Sequence, residues 1–294
     1  MWIIHSIARS SSWVSDCLAI AEGEPPALHV ALHASKSQLG DVSSRVMATQ
    51  QFDDLTDVYE AMIDWPKRLA YEEPFYRRWF EQVGVRSVAD MACGTGRHAA
   101  LFHGWALRVE GSDLSPKMIE RARSRCGEPP GLRWVVRGFD EPIGSHEPWD
   151  AVLCVGNSLA LAPDNATITR VLQQMLAAVR KGGLLVVHVL NLWRLPDGPC
   201  QWQKCVRTLL PQGEVLILKG VHRCGSRGYI ELLVVDPAGG VLRNESVAFQ
   251  GLECRELELI ARESGALHVQ FFGGYEEQPY DRPKSTDLLL VARK

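Results

Sequence analysis

The stretch Val88-Ala89-Asp90-Met91-Ala92-Cys93-Gly94-Thr95-Gly96-Arg97-His98-Ala99 constrains this chain more than any other. A short apolar run enters a pair of glycines and leaves as a helix-forming segment. That order fits a strand, a tight turn and a helix in a parallel sheet. Gly94 and Gly96 remove side chains where a ligand must touch backbone, and the helix N-terminus beyond them offers free N–H groups. Asp113 follows 19 positions after Gly94 and ends the next apolar run. At a strand tip, a carboxylate can accept both hydroxyls of an adenosine ribose. Gly94-x-Gly96-x-x-Ala99 also fits the looser dinucleotide fingerprint, so the glycines by themselves leave a nicotinamide cofactor open.

The flanking chain repeats the alternation. Residues from about Phe52 to Val83 carry helical periodicity rich in aromatics, with Pro66 and Pro74 expected to start or break helices. Strands are predicted at Ser87–Met91, Ala106–Gly111, Arg133–Arg137 and Asp150–Val155, and Ser115-Pro116 is a helix start signal. Ile168, Val171, Leu172, Met175, Leu176 and Val179 fall on one helical face over 167–180. Lys181-Gly182-Gly183 is expected to stop that helix through an αL glycine. The wholly apolar Leu184–Leu190 run then suits a parallel strand covered on both faces. After Asn191 the texture changes to meander grammar: Val215–Lys219, Tyr229–Val235 and Val241–Phe249, with turns at Gly225-Ser226 and Pro237-Ala238-Gly239-Gly240. A helix at about 255–264 and strands at about 266–273 and 286–293 close the chain. The expected fold is α/β: a Rossmann-like, doubly wound, seven-stranded, mainly parallel sheet with an antiparallel last strand, plus a small antiparallel β insertion.

The 294 residues divide accordingly. Residues 1–46 read as a weakly ordered N-terminal extension, 47–191 and 251–294 as the cofactor-binding domain, and 192–250 as a β-rich insertion capping the acceptor pocket. With 32 Lys+Arg against 35 Asp+Glu, a globally basic nucleic-acid binder is excluded. No run of about 18 apolar residues exists, so no spanning helix and no membrane partner is expected. The N-terminus lacks a positive region before its apolar start and reads poorly as a secretory signal. Eight cysteines without a Cys-x-x-Cys pair read as reduced thiols of a cytoplasmic protein, with no metal site.

In motif order the chain resembles the class I S-adenosylmethionine-dependent methyltransferases. The residues that carry this are Asp90 just before the glycine turn, Trp149-Asp150-Ala151-Val152-Leu153-Cys154-Val155-Gly156-Asn157-Ser158, and Arg180-Lys181-Gly182-Gly183-Leu184-Leu185. The segments Asp90–Ala99 and Cys154–Asp164 are most similar to the glycine/sarcosine N-methyltransferase-like branch. The resemblance implies S-adenosyl-L-methionine as cofactor. Ala92 and the glycine turn would pass its methionine part, Asp113 would hold the ribose, and Leu114 would lie against the adenine. Phe139 or Asp140 would face the ring, and Val155, Gly156 and Asn157 would line the reacting methyl. Arg68 would pair with the cofactor carboxylate, for which a guanidinium is suited, and Tyr59 would lie near the same end.

One departure bears on the substrate. In the glycine N-methyltransferases an arginine beside the asparagine after the fifth strand binds the substrate carboxylate. Here Leu190 falls at that place, before Asn191, so the resemblance does not carry glycine over as the acceptor. His188, Asn191 and Tyr275 are the catalytic candidates, without a clear choice among them. The expected function is transfer of a methyl group to nitrogen, or oxygen, of a small molecule. An NAD-dependent oxidoreductase and a noncatalytic methyltransferase-like binding protein stay as alternatives. Oligomeric state and the acceptor's identity are not legible.

Overall fold

The computed structural model describes residue 53, residues 55–144 and residues 147–294. The expectations for residues 1–46 lie outside them. A helix over residues 55–62 (α1) leads into α2 (Trp65–Val83), β1 (Ser87–Met91), α3 (Arg97–Gly104), β2 (Arg108–Asp113), α4 (Pro116–Cys126), β3 (Leu132–Val136) and β4 (Trp149–Cys154). Then come α5 (Asn165–Ala178), β5 (Val179–Leu190), strands β6 (Gln201–Leu210), β7 (Gly213–Cys224), β8 (Arg227–Val235) and β9 (Val241–Gln250), helix α6 (Cys254–Glu263), β10 (His268–Phe272) and β11 (Asp287–Arg293).

Seven strands form one sheet in the order β10-β11-β5-β4-β1-β2-β3. Within it β3, β2, β1, β4 and β5 run parallel, and β11 is antiparallel to both its neighbours. Alternate residues of each strand feed two cores. Val88, Val109, Ala151, Leu153 and Val186 pack under α2, α3 and α4 through Phe75, Phe80, Phe102 and Ile119. Ala89, Met91, Val152 and Val187 pack under α5 and α6 through Val171, Leu172, Met175 and Leu257. Strands covered on both faces are what near-continuous apolar runs require. The chain reverses direction of strand order at β1 and β4, which opens a crevice at their carboxyl ends, the usual ligand position in such sheets.

Strands β6 to β9 form a separate antiparallel meander. One face of it packs on α1: Val215, Ile217, Leu232 and Val234 close over Leu55, Val58 and Met62. Farther along the same sheet, Val221 and Phe249 join the main core. Among the described residues no helix is long and apolar enough to cross a membrane.

Four local expectations are corrected. Pro74 does not break its helix; it sits inside α2. Both Pro74 and Ala70, whose carbonyl loses its partner, are exposed, so water can take the freed acceptor. β2 begins at Arg108, two residues later than the pattern indicates. Gly182 does not cap α5, because the chain turns directly into β5 at Val179. Gly182 (φ 72°) instead belongs to an irregularity where Val179 pairs with Trp149 and Leu184 with Ala151. The meander has four strands rather than three, β6 being the addition.

Candidate functional site

The turn after β1 carries three left-handed residues: Ala92 at φ 52°, Gly94 at φ 55° and Gly96 at φ 73°. A left-handed alanine is strained, and such strain collects at functional turns. Gly96 is also required by packing, since a Cβ there would overlap the Trp134 ring and stand 2.9 Å from Ala122 Cβ. Gly94 has room for a Cβ but faces Tyr59, whose ring edge lies 3.6 Å from that position. The turn is fastened to the tip of β2. Asp113 Oδ2 accepts the Gly94 N–H at 2.8 Å, and Oδ1 accepts the Ser115 N–H at 2.9 Å. Burial raises the Asp113 carboxyl above its ordinary range, against the lowering effect of those two donors and of the Leu114 backbone N–H. Each oxygen keeps a lone pair.

Asp90 lies beneath, at the end of β1, fully buried. Its nearest donor, the Ala99 backbone N–H, falls short of full hydrogen-bond geometry and lowers its pKa only in part, so neither oxygen is satisfied. Burial, and then the nearby Asp113 charge, push its pKa up to about 8. A buried carboxyl left unsatisfied is costly and marks a place where a ligand is expected. A second orphan stands across the crevice. Asn157, left-handed at φ 77°, accepts the Leu190 N–H on Oδ1 at 3.0 Å, while its buried Nδ2 has no partner.

Two helices wall this crevice. On α2, Arg68 donates through Nε to Glu72 at 2.7 Å, and Glu72 meets His98 Nε2 at 2.5 Å. Burial opposes ionisation of Glu72, yet the His98 hydrogen bond and the Arg68 charge outweigh it and hold its carboxyl at about 2. One edge of Arg68 is thus fixed. Its Nη2 lies 3.7 Å from where a Cβ on Gly156 would stand, at the end of β4. Trp65 packs beneath, with Arg68 5.2 Å from its ring centroid and Tyr59 edge-on at 5.8 Å. On α1, Glu60 is bound by Thr95, Arg97 and Arg125, and ahead of that helix Asp53 is bound by Ser115 and Lys117. These contacts strap α1 across the glycine turn. Burial pushes the Tyr59 hydroxyl up to about 12.

The sequence candidates therefore separate into groups. Tyr59, Arg68, Asp90, Ala92, Gly94, Asp113, Gly156 and Asn157 converge on the carboxyl ends of β1, β2 and β4. Gly96 stands one step behind them as a packing residue. Leu114 is half-buried beside Asp113, and Val155 is buried in the core. Of the pair after β3, Phe139 is half-buried against the main core and Asp140 is exposed.

The catalytic candidates behave differently. His188 Nδ1 accepts the Gly156 N–H at 3.1 Å, so its ring proton sits on Nε2, 3.2 Å from Asp287 Oδ1. Asn191 braces the chain with both ends of its amide: Nδ2 donates to the Arg282 and Ser285 carbonyls, and Oδ1 accepts from Trp193 N–H and Tyr280 Oη. Tyr275 is buried, with its hydroxyl 3.2 Å from that of Tyr76 and its ring 5.4 Å from His188. Glu60, Glu72, His98 and Trp65 were not singled out in the sequence. Their only sequence signal is a charge or an aromatic at helical spacing, which ordinary surface and core residues share.

A methyltransferase-domain family profile matches residues 88–183. A glycine/sarcosine N-methyltransferase of Parasynechococcus marenigrum (strain WH8102) is 32% identical over 155 residues, 51% of this chain and 54% of that protein. A dTDP-4-amino-2,3,4,6-tetradeoxy-D-glucose N,N-dimethyltransferase of Saccharopolyspora spinosa is 30% identical over 149 residues, 49% of this chain and 56% of that one. The chain spans about half the length of these curated relatives. In fold it is similar to the CcbJ methyltransferase of Streptomyces caelestis, with a TM-score of 0.65 and 20% identity over 82% of this chain and 97% of that one. Residues 88–183 are a methyltransferase domain by that profile, and over about half its length the chain is similar in sequence to glycine/sarcosine N-methyltransferases.

Proposed function

We propose that the protein transfers a methyl group from S-adenosyl-L-methionine to the nitrogen of a small-molecule amine. The observation that carries this reading is Asp90, a buried carboxyl with neither oxygen satisfied, beneath a strained glycine turn and beside Asp113. The side chains present fit the cofactor. Asp113 keeps two lone pairs for a ribose diol, and Asp90 supplies an acceptor near the methionine end. The free edge of Arg68 suits a carboxylate. When bound, the sulfonium supplies an activated methyl group.

The chain's own residues then have positioning work. Alignment of acceptor and methyl, with water excluded, accounts for most of the rate in such a transfer. Helix α1 is tied to the glycine turn through Glu60, Asp53 just before it is tied to Ser115, and the four-stranded sheet packs on the helix. His188 is not a free base at Nδ1; it holds the Gly156-Asn157 turn. An acceptor entering as a neutral amine needs no protein base before transfer and loses its proton afterwards. Asn157 Nδ2 is the unpaired donor facing that region.

The test is mass-spectrometric detection of methylated products over a panel of small amines and phenols. Product on amines supports the reading. Cofactor binding without any product on the panel would instead favour a binding protein.

A further inference from the structure

Glu72 is an unexpected residue to bury. It lies within α2 with its side chain only 4% exposed, and its partner on α3, His98, is 6% exposed. A carboxylate out of water is costly unless donors surround it. Two do. Oε1 accepts the Arg68 Nε–H at 2.7 Å, and Oε2 meets His98 Nε2 at 2.5 Å. Against the effect of burial, the His98 hydrogen bond and the Arg68 charge keep Glu72 ionised. A carboxylate only accepts, so His98 Nε2 carries a proton. An apolar residue of similar volume here would pack α2 on α3 at least as well. Helix packing by itself therefore does not account for the charge.

What the pair controls is the heading of Arg68. An arginine side chain has several free torsions. A bond at Nε fixes the guanidinium plane and leaves the terminal fork, Nη1 and Nη2, open. Among the described residues neither of these nitrogens has a hydrogen bond; the bond to Glu72 is made through Nε. Nη2 lies over Gly156, 3.7 Å from where a Cβ would stand, and the Gly156 N–H is itself turned onto His188. Trp65 backs the guanidinium from 5.2 Å. Arg97 and Arg125, the guanidiniums nearer the glycine turn, are both engaged by Glu60. Of these three arginines, only Arg68 presents an open fork to the crevice. At the other end of the relay, His98 directly precedes Ala99, whose N–H reaches toward Asp90. The relay thus connects the fork on one wall of the crevice with the helix that carries the donor to Asp90.

We propose that Glu72, anchored by His98, is a positioning residue for Arg68, fixing its fork for the α-carboxylate of S-adenosylmethionine so that the protein selects the intact amino-acid end of the cofactor. This deepens the functional reading above and rests on it. Glu72 acts through Arg68 alone. S-adenosylhomocysteine and its decarboxylated analogue, which keeps the ammonium and lacks the carboxylate, are titrated calorimetrically into the full chain. The proteins are wild type, Glu72→Leu, Glu72→Gln, Arg68→Met and the double variant Arg68→Met/Glu72→Leu, each with urea unfolding to establish the folded fraction. Wild type is expected to prefer S-adenosylhomocysteine about tenfold or more. Glu72→Leu is expected to lose most of that preference by weakening S-adenosylhomocysteine alone. Glu72→Gln, whose amide oxygen still accepts from Arg68 Nε, is expected to restore it. In the Arg68→Met background, Glu72→Leu is expected to change neither affinity by more than about threefold, because the two residues act as one unit.

Equal weakening of both ligands in Glu72→Leu overturns the proposal, since a purely structural ion pair would do that. So does an unchanged preference, or additive losses in the double variant. Should Glu72→Leu not fold, His98→Phe takes its place: it leaves Glu72 on Arg68 and removes the anchor. A reduced preference in His98→Phe supports the proposal, and an unchanged one overturns it. Wild type that binds both ligands alike removes the carboxylate site and leaves the functional reading standing. Wild type that binds neither sinks the functional reading itself.

Discussion

Asp113→Asn is the perturbation whose size the structure allows to be worked out. The carboxylate accepts one backbone N–H on each oxygen, from Gly94 and Ser115. An amide keeps one acceptor and turns an NH2 group toward whatever faced the other oxygen. Inside the protein, one of the two N–H groups loses its partner. Toward the cofactor, one ribose hydroxyl meets a donor in place of an acceptor. A hydrogen bond to a charged group contributes about 1.5–3 kcal/mol. The loss corresponds to about 10- to 150-fold in the dissociation constant. The assay is calorimetric titration of S-adenosylhomocysteine into wild type and variant, with urea unfolding of both to establish the folded fraction at the working temperature. A folded Asp113→Asn protein whose affinity stays within about threefold of wild type would refute the ribose assignment.

Two further outcomes follow from the same turn. Gly96→Ala should lose about 2–5 kcal/mol of stability in urea unfolding, combining left-handed strain with overlap on Trp134 and Ala122; a loss below about 1 kcal/mol would mean the turn relaxes freely. Asp90 has a folded-state pKa raised to about 8 by burial and the Asp113 charge. The unfolded carboxyl releases its proton near pH 4, so this residue's contribution to stability declines as pH rises from about 4 to about 8 and is flat outside that window. Asp90→Asn should therefore gain on the wild type across that range in thermal unfolding without ligand, and a pH-independent difference would contradict a protonated Asp90.

The strand–helix alternation and the glycine turn are legible in the sequence because both rest on local rules. Strand runs buried on two faces cannot hide their apolar content, and Asp113 is tied to Gly94 by a fixed strand–turn–helix geometry. Ser115-Pro116 was equally local, and Ser115 Oγ does accept the Met118 N–H. What escaped depends on partners distant in sequence. Pro74 survives inside α2 because that face of the helix is exposed. The Lys181-Gly182-Gly183 segment looks like a helix stop, yet a strand partner, Trp149, captures Val179 first. The Arg68-Glu72-His98 chain joins α2 to α3, and no spacing rule pairs residues 72 and 98.

The central claim is that the crevice over Asp90 and Asp113 takes S-adenosylmethionine rather than a nicotinamide dinucleotide, although the glycine spacing alone admits either. Side-by-side calorimetric titration of the full chain with S-adenosylhomocysteine and with NADH tests it most directly. The account predicts saturable binding of S-adenosylhomocysteine and no heat of binding with NADH. Binding of NADH together with none of S-adenosylhomocysteine would contradict it.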